Sequence, residues 1–257
     1  MTKVAVVTGA GRGLGRRIAE RLARTGHHVI ATDIDETAAL VTAAVVDGTG
    51  ILQDVRDPDS HRAVARLAAE HGTLAVWVNN AGVLAVGEAW SMGDADVRRQ
   101  VEVNLLGVIW GCNAAASAMQ AGTILNIASL SAITPTPGLA VYGATKHGVV
   151  GYSLSLASEL RQARRPITVS ALLPAAIKGD MTAAVAHDAA ASLLWANGPL
   201  LTIDAVAEAA VELVAHPRLV RTMPGYRAAM IHLLRPFPAL GLPLLERFAR
   251  LGRKHQQ

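Results

Sequence analysis

A chain of 257 residues with 51% hydrophobic side chains can bury a large core, and with only 4% aromatics that core must be built mainly from Ala, Val and Leu. This favours helices packed closely on a sheet over a β-sandwich, and the single cysteine, Cys112, excludes an internal disulfide framework and a cysteine-rich zinc site. The net charge of +4 is unevenly spread: from His216 to Gln257 there are eight Lys or Arg against one acid, Glu246, and the rest of the chain is net acidic.

A basic tail of this kind suits a surface segment, a membrane-touching helix or an acidic ligand. It does not resemble a nucleic-acid domain, whose basic residues would follow a recognisable motif. No charged-then-apolar leader opens the chain, and no apolar run reaches the ~18 residues that a membrane span needs. The expectation is a cytoplasmic protein without a nucleic-acid partner and without a metal.

Val4-Ala5-Val6-Val7 reads as a strand buried on both faces. It runs into Gly9, Arg12, Gly13, Leu14 and Gly15, after which Ile18, Leu22 and Ala23 form one helical stripe opposite Arg16, Arg17, Glu20, Arg21 and Arg24. In a strand–glycine turn–helix unit the glycines admit a pyrophosphate, and the helix N-terminus supplies free N–H donors and a positive dipole end. The spacing is Gly9-x-x-x-Gly13-x-Gly15 and not G-x-G-x-x-G. A glycine cluster alone can be a plain turn; one between a buried strand and a helix points to a dinucleotide.

His28 to Thr32 is a second strand ending at Asp33. An acid about 20 residues beyond the turn suits hydrogen bonding to a ribose diol and repels a 2′-phosphate, which argues for NAD over NADP. Arg12 pulls the other way, and a strand-end turn residue is the alternative for Asp33. Gly50 to Gln53 is a third strand, followed by Asp54-Val55. Arg56 to Gly72 reads as a helix with Val64, Leu67 and Ala68 inward. Leu74 to Val78 is the fourth strand, ending in Asn79-Asn80-Ala81-Gly82. These amides can satisfy backbone groups of adjacent strands, and Ala81 and Gly82 leave room for a flat ligand. The order so far is β-α-β-β-α-β with a parallel sheet.

Asp94 to Ala121 is a long helical stretch with Val97, Val101, Leu105 and Val108 at helical spacing. Asn104 lies among them, either as a satisfied structural amide or as a polar post reaching into a site. Thr123 to Ala128 is the fifth strand, with Ser129 at the carboxyl end, where ligands bind in open parallel sheets, and Ser131 as a rival. After the Pro135–Gly138 turn region, a helix rich in small residues runs from Tyr142 to about Arg161, permitting close approach to the sheet or to another subunit. Tyr142 and Lys146 stand four residues apart, on one helical face. An ammonium there can hydrogen-bond a ribose and lower a phenol's pKa by its field. Ile167 to Leu173 is the sixth strand, ending at Pro174, and Arg218 to Pro224 is a candidate seventh.

Three motifs occur in order: Thr8-Gly9-x-x-x-Gly13-x-Gly15, Asn79-Asn80-Ala81-Gly82, and Ser129 thirteen residues before Tyr142-x-x-x-Lys146. From Lys3 to about Met181 the chain resembles the short-chain dehydrogenase/reductase family in its form of about 250 residues. The resemblance implies an α/β fold: a single Rossmann-like, doubly wound parallel sheet of about seven strands with helices on both faces. It implies that Tyr142 is the acid/base, that Lys146 lowers its pKa and binds the nicotinamide ribose, that Ser129 polarises the substrate oxygen, and that Asn104 anchors a relay water. It also implies NAD as cofactor, held by Gly9, Arg12, Gly13, Leu14, Gly15, Asp33, Ile34, Asp54, Val55, Asn80, Ala81, Gly82, Tyr142, Lys146, Pro174 and Ile177. Asp54 and Val55 match the family's adenine-contacting pair, and Asn80 the residue lining the cofactor trough.

Two stretches depart from the family pattern. After Pro174, Ile177 fits a contact to the nicotinamide amide, but Gly179 takes the usual Thr position, leaving that hydroxyl contact missing or supplied by Thr182. The basic apolar extension over 225–257 carries Met230, Ile231, Leu233, Leu234, Phe237, Leu240, Leu244, Leu245, Phe248 and Leu251. It looks like the retinol- and hydroxysteroid-dehydrogenase branch; packing on its own or a partner's core and peripheral membrane contact are both open. Residues 180–215 are expected to form a substrate lid, with Leu193, Leu194 and Trp195 apolar and His187 without an assigned role. The leading expectation is one domain over 1–257, assembled as a homodimer or homotetramer. It would act as an NAD-dependent oxidoreductase interconverting a secondary alcohol and a ketone on a small hydrophobic substrate such as a steroid, terpene or long-chain alcohol. A 3-oxoacyl-thioester reductase and a non-catalytic NAD(H)-sensing or scaffold protein are the alternatives.

Overall fold

Val4, Ala5, Val6 and Val7 are fully buried and alternate between two cores: Val4 and Val6 in one, Ala5 and Val7 in the other. They belong to β1 (Lys3–Thr8) of a computed structural model that describes residues 1–196 and 198–234, then positions 243, 247, 248 and 250–253. The tail residues Phe237, Leu240, Leu244 and Leu245, and the side chains of Met230 and Leu234, lie outside the described residues.

The remaining strands are β2 (His27–Asp33), β3 (Thr49–Leu52), β4 (Thr73–Asn79), β5 (Gly122–Ile127), β6 (Ile167–Pro174) and β7 (Val220–Met223). They form one parallel sheet in the order β3-β2-β1-β4-β5-β6-β7. The helices in chain order are α1 (Gly13–Arg24), α2 (Glu36–Val46), α3 (Pro58–His71), α4 (Asp94–Val101), α5 (Gly107–Ala118), α6 (Ala140–Gln162), α7 (Asp180–Ala183), α8 (Ile203–Ala215) and α9 (Gly225–Leu234). Ile18 and Leu22 of α1 and Val206 and Leu213 of α8 close the Ala5–Val7 core. Val64 of α3, Val108 of α5 and Val149 of α6 close the Val4–Val6 core. Helices thus cover both faces, as expected.

Two local readings are corrected. The sequence pattern runs directly from β2 to β3, but α2 intervenes. Its buried residues are Ala39, Thr42 and Ala43 while Leu40, Val41 and Val45 are exposed, so no apolar stripe marks it. The long helical stretch is not uniform: a π-helical segment, Glu102–Leu106, separates α4 from α5, and the Gly107 N–H bonds to the Glu102 carbonyl five residues back. The stretch 180–215, expected as a lid, is not of one kind throughout. From Ile203 onward the chain is α8, whose Val206, Ala207, Ala210 and Leu213 are core.

The strand order reverses direction between β1 and β4, and the loops leaving these strands are joined there. The Asn80 side-chain amide donates to the carbonyls of Thr8 and Gly9, both at 3.0 Å, and the Thr8 hydroxyl accepts from Asn80 N and Ala81 N, both at 3.1 Å. Deeper in the sheet, Trp77 Nε1 donates to Asn79 Oδ1, Asn79 Nδ2 to Asn126 Oδ1 and Asn126 Nδ2 to Ser153 Oγ, each at 2.8 Å. This chain ties β4 and β5 to α6. Among the described residues, no helix is long and apolar enough to cross a membrane.

Ser170 of β6 is fully buried and its hydroxyl lacks a hydrogen-bond partner. It lies two residues from Leu172 and so shares the face packed by α1 and α8. An orphaned buried hydroxyl carries a desolvation cost that Ala would not, so Ser170→Ala is expected to raise the unfolding free energy by about 1 kcal/mol. Chemical denaturation checks this; a lower midpoint at unchanged slope would mean that the hydroxyl is satisfied.

Candidate active site

The carboxyl ends of the strands open into a cavity of about 1170 Å³ at the β1–β4 reversal. Every residue expected at the cofactor lines it, from Gly9 and Asp33 to Pro174 and Ile177. Gly9 (φ +62°) and Gly13 (φ +55°) hold left-handed conformations that favour glycine, and a Cβ on Gly15 would stand 2.1 Å from the Gly9 carbonyl oxygen. The helix that follows begins without a capping side chain and without an acid in its first turn. Its first N–H groups are therefore oriented for an external anion, beside a close-packed glycine backbone. These features fit a dinucleotide pyrophosphate.

Asp33 closes the turn from the far side. Its Oδ2 accepts from Gly11 N at 2.9 Å and its Oδ1 from Asp35 N at 3.1 Å. The Asp54 carboxylate is gripped by Arg56, whose hydrogen bonds hold it below the usual carboxylate range. Arg12 is exposed and lies 3.8 Å from Asp180 across the cavity mouth.

The Tyr142–Lys146 face of α6 forms the opposite wall. Lys146 is buried; its Nζ donates to the Ile127 carbonyl at 2.9 Å and sits 5.6 Å from the centre of the Tyr142 ring. Burial pushes Lys146 down to about 8 and pushes Tyr142 up to about 12, against an opposing side-chain hydrogen bond from Ser129. Burial is thus the larger influence on the phenol, ahead of its serine neighbour. Of the two serine candidates, Ser129 bonds the phenol, while Ser131 is buried and donates its N–H to Ser129 Oγ at 3.1 Å.

Asn104 does not line the cavity. Its side chain is fully buried behind the wall, accepting from Val83 N and donating to Val83 O, each at 2.8 Å. The structural alternative for this amide therefore describes its side chain: it pins the loop leaving Gly82. Thr182 lines the cavity, but its hydroxyl accepts from Gly179 N (3.2 Å) and donates to Ile177 O (2.7 Å), which fixes the turn at the position where the family has Thr. Of the stretch expected as a lid, Leu193 and Leu194 line the cavity, and Trp195 and His187 do not.

A family model described as short chain dehydrogenase matches residues 3–190. The chain belongs to the short-chain dehydrogenase family. As a member it is an oxidoreductase acting at alcohol or carbonyl carbon. A curated relative, the 3-oxoacyl-[acyl-carrier-protein] reductase of Escherichia coli (strain K12), is 38% identical over 198 residues, covering 75% of this chain and 80% of the relative. The enzyme of the same name from Staphylococcus aureus (strain Mu50) is 37% identical over 198 residues, covering 73% and 80%. Among solved structures, a short-chain dehydrogenase/reductase from Burkholderia phymatum in complex with NAD is 28% identical, with a TM-score of 0.82 over 93% of this chain and 95% of that one.

This short-chain dehydrogenase also has walls that the motifs do not mark. Ile133 and Leu139 follow the fifth strand, and Ile231 and Phe248 come from the tail, whose Gly252 packs against the backbone of Ser192. Arg227, only 7% exposed, lines the same cavity and donates from Nε to the Tyr226 hydroxyl at 3.3 Å. The apolar tail left packing and membrane contact both open, and nothing in it said that the segment would return to the site.

Proposed function

We propose that this chain reduces 3-oxoacyl thioesters to their 3-hydroxy forms with NADH. The observation that carries the reading is buried Lys146 at 5.6 Å from the Tyr142 ring, with Ser129 beside them, at one wall of a cavity that is apolar over much of its lining. The curated relatives bear the name of that activity. NAD is supported by the carboxylate of Asp33 at the end of β2 and by the NAD held in the similar solved structure.

The nicotinamide, when bound, supplies the hydride. Ser129 holds the carbonyl oxygen, and Tyr142 gives that oxygen its proton. Because burial keeps the phenol protonated up to about 12, Tyr142 is in its donor form at neutral pH. Lys146, charged below about 8, favours the phenolate left behind. Asn104 acts through Val83, keeping the wall beside Gly82 in place. Assembly through the small residues of α6, as a homodimer or homotetramer, belongs to the same reading.

A second reading, an NAD-dependent dehydrogenase of apolar secondary alcohols such as steroids or terpenes, is favoured by the charge of the cavity mouth. Among the described residues that line the cavity, each exposed arginine faces an acid, Arg12 with Asp180, Arg56 with Asp54 and Arg99 with Asp96, which partly offsets the positive charge offered to a carrier's phosphates. NADH consumption with 3-oxoacyl thioesters of a carrier protein, coenzyme A and N-acetylcysteamine, compared with ketosteroids and terpene ketones, separates the two. Turnover of the thioesters is the expected result. Turnover of the free ketones alone would install the second reading, and NADH binding without turnover of any would favour a sensor.

A further inference from the structure

His61 is a fully buried titratable group, and none of the chemistry above uses it. It lies in the first turns of α3, directly behind the Gln53–Val55 segment that lines the cavity after β3. Its Nε2 is 2.9 Å from the Val55 carbonyl, which can only accept, so Nε2 carries the proton. Nδ1 is then the bare nitrogen, 3.1 Å from Gln53 Nε2, which donates to it. Gln53 Oε1 in turn accepts from the Thr32 hydroxyl, and Gln53 N donates to the Asp33 carbonyl at 2.8 Å. One residue earlier on α3, the Ser60 hydroxyl holds the Asp54 carbonyl at 2.7 Å. The imidazole therefore closes a chain running from β2, beside Asp33, through the end of β3 to Val55.

We propose that His61 is a positioning residue for the adenosine half of the cofactor site: in its neutral form it fixes the Gln53–Val55 wall, and on protonation it releases that wall and weakens cofactor binding. The proposal rests on reading the cavity as an NAD site. Protonated imidazole has two donors and no acceptor. The Gln53 amide would then face another donor and would have to turn over, presenting its NH₂ to the Thr32 hydroxyl and displacing that proton as well. Two charged groups act on the ring, the Asp57 and Asp54 carboxylates; the Asp54 carboxylate is itself engaged by Arg56, and Trp77 of β4 packs against the ring without charge. Burial outweighs both carboxylates and lowers the pKa of His61, so the ring is neutral at pH 7. The wall is held above the ordinary histidine range and released as pH falls through the lowered value.

Calorimetric titration of NAD⁺ and of ADP-ribose into the wild type, His61→Leu and His61→Gln from pH 5 to 8 tests this. Both ligands are expected to weaken by about tenfold in His61→Leu at pH 7.5, the size of one to two lost hydrogen bonds, with kcat at saturating cofactor nearly unchanged. Wild-type affinity is expected to fall in acid, whereas His61→Gln, which keeps a donor for Val55 but cannot titrate, is expected to stay flat. Unchanged affinity in both variants, or the same acid loss in His61→Gln as in the wild type, overturns the proposal. A wild type that binds neither ligand at any pH overturns instead the reading of the cavity as an NAD site.

Discussion

Replacing Tyr142 by Phe is expected to lower kcat roughly a thousandfold, the scale of losing a positioned general acid, while NADH affinity stays within about twofold. Phe keeps the ring 5.6 Å from Lys146 Nζ and removes only the hydroxyl that meets Ser129. Packing is conserved, so the loss cannot be assigned to a collapsed wall. The pH dependence of the wild type carries a second signature. Tyr142 remains protonated up to about 12, and Lys146 is charged only below about 8. The kcat/KM for ketone reduction is therefore expected to be level below about 8 and to fall as pH rises through it, because the ammonium that stabilises the departing proton's phenolate is lost. Steady-state rates with fluorescence titration of NADH check both. A Tyr142→Phe enzyme within tenfold of wild type would remove the phenol from proton transfer.

How much of this could be read from residue order depends on how local each feature is. The sheet was legible because Val4–Val7, Val76–Val78 and Ile124–Leu125 are apolar runs that only a doubly covered strand buries. The glycine turn and Tyr142–Lys146 were legible because backbone geometry and helical spacing act within a few residues. α2 was not, since a surface helix with exposed Leu40, Val41 and Val45 has no polar face to reveal its period, although Asp35 caps it in the ordinary way. The π-helical segment at Asn104 leaves no mark, because Glu102–Leu106 mixes polar and apolar residues as the helical stretch around it does. The Asn79–Asn126–Ser153 chain and the His61–Gln53–Thr32 chain join residues far apart in sequence, and each member alone passes for an ordinary buried polar group. The burial that shifts Tyr142 and Lys146 was not legible for a related reason: spacing reveals that two groups are neighbours, whereas desolvation depends on everything that surrounds them.

Asp33 separates a charge effect from a scaffold effect. Both of its carboxylate oxygens already accept backbone N–H groups, from Gly11 in the glycine turn and from Asp35 at the start of α2. Asp33→Ala is therefore expected to do more than relax cofactor choice. It removes a turn contact together with the ribose acceptor, and NADH kcat/KM is expected to drop by about a hundredfold, the scale of two charge-assisted hydrogen bonds in a partly solvated site. Asp33→Asn keeps one acceptor oxygen for Gly11 and removes the negative charge that repels a 2′-phosphate. Its preference for NADH over NADPH is expected to shrink by about tenfold, with a smaller loss of overall efficiency. Arg12 decides whether the gain reaches NADPH. Its partner Asp180 is 3.8 Å away and both side chains are largely exposed, so the pair is weak enough for a phosphate to displace. In Asp33→Asn combined with Arg12→Ala, the NADPH gain is expected to vanish while the NADH rate stays at the single-variant level. Parallel kcat/KM measurements with the two cofactors decide the matter: an unchanged ratio in Asp33→Asn would show that another group reads the ribose.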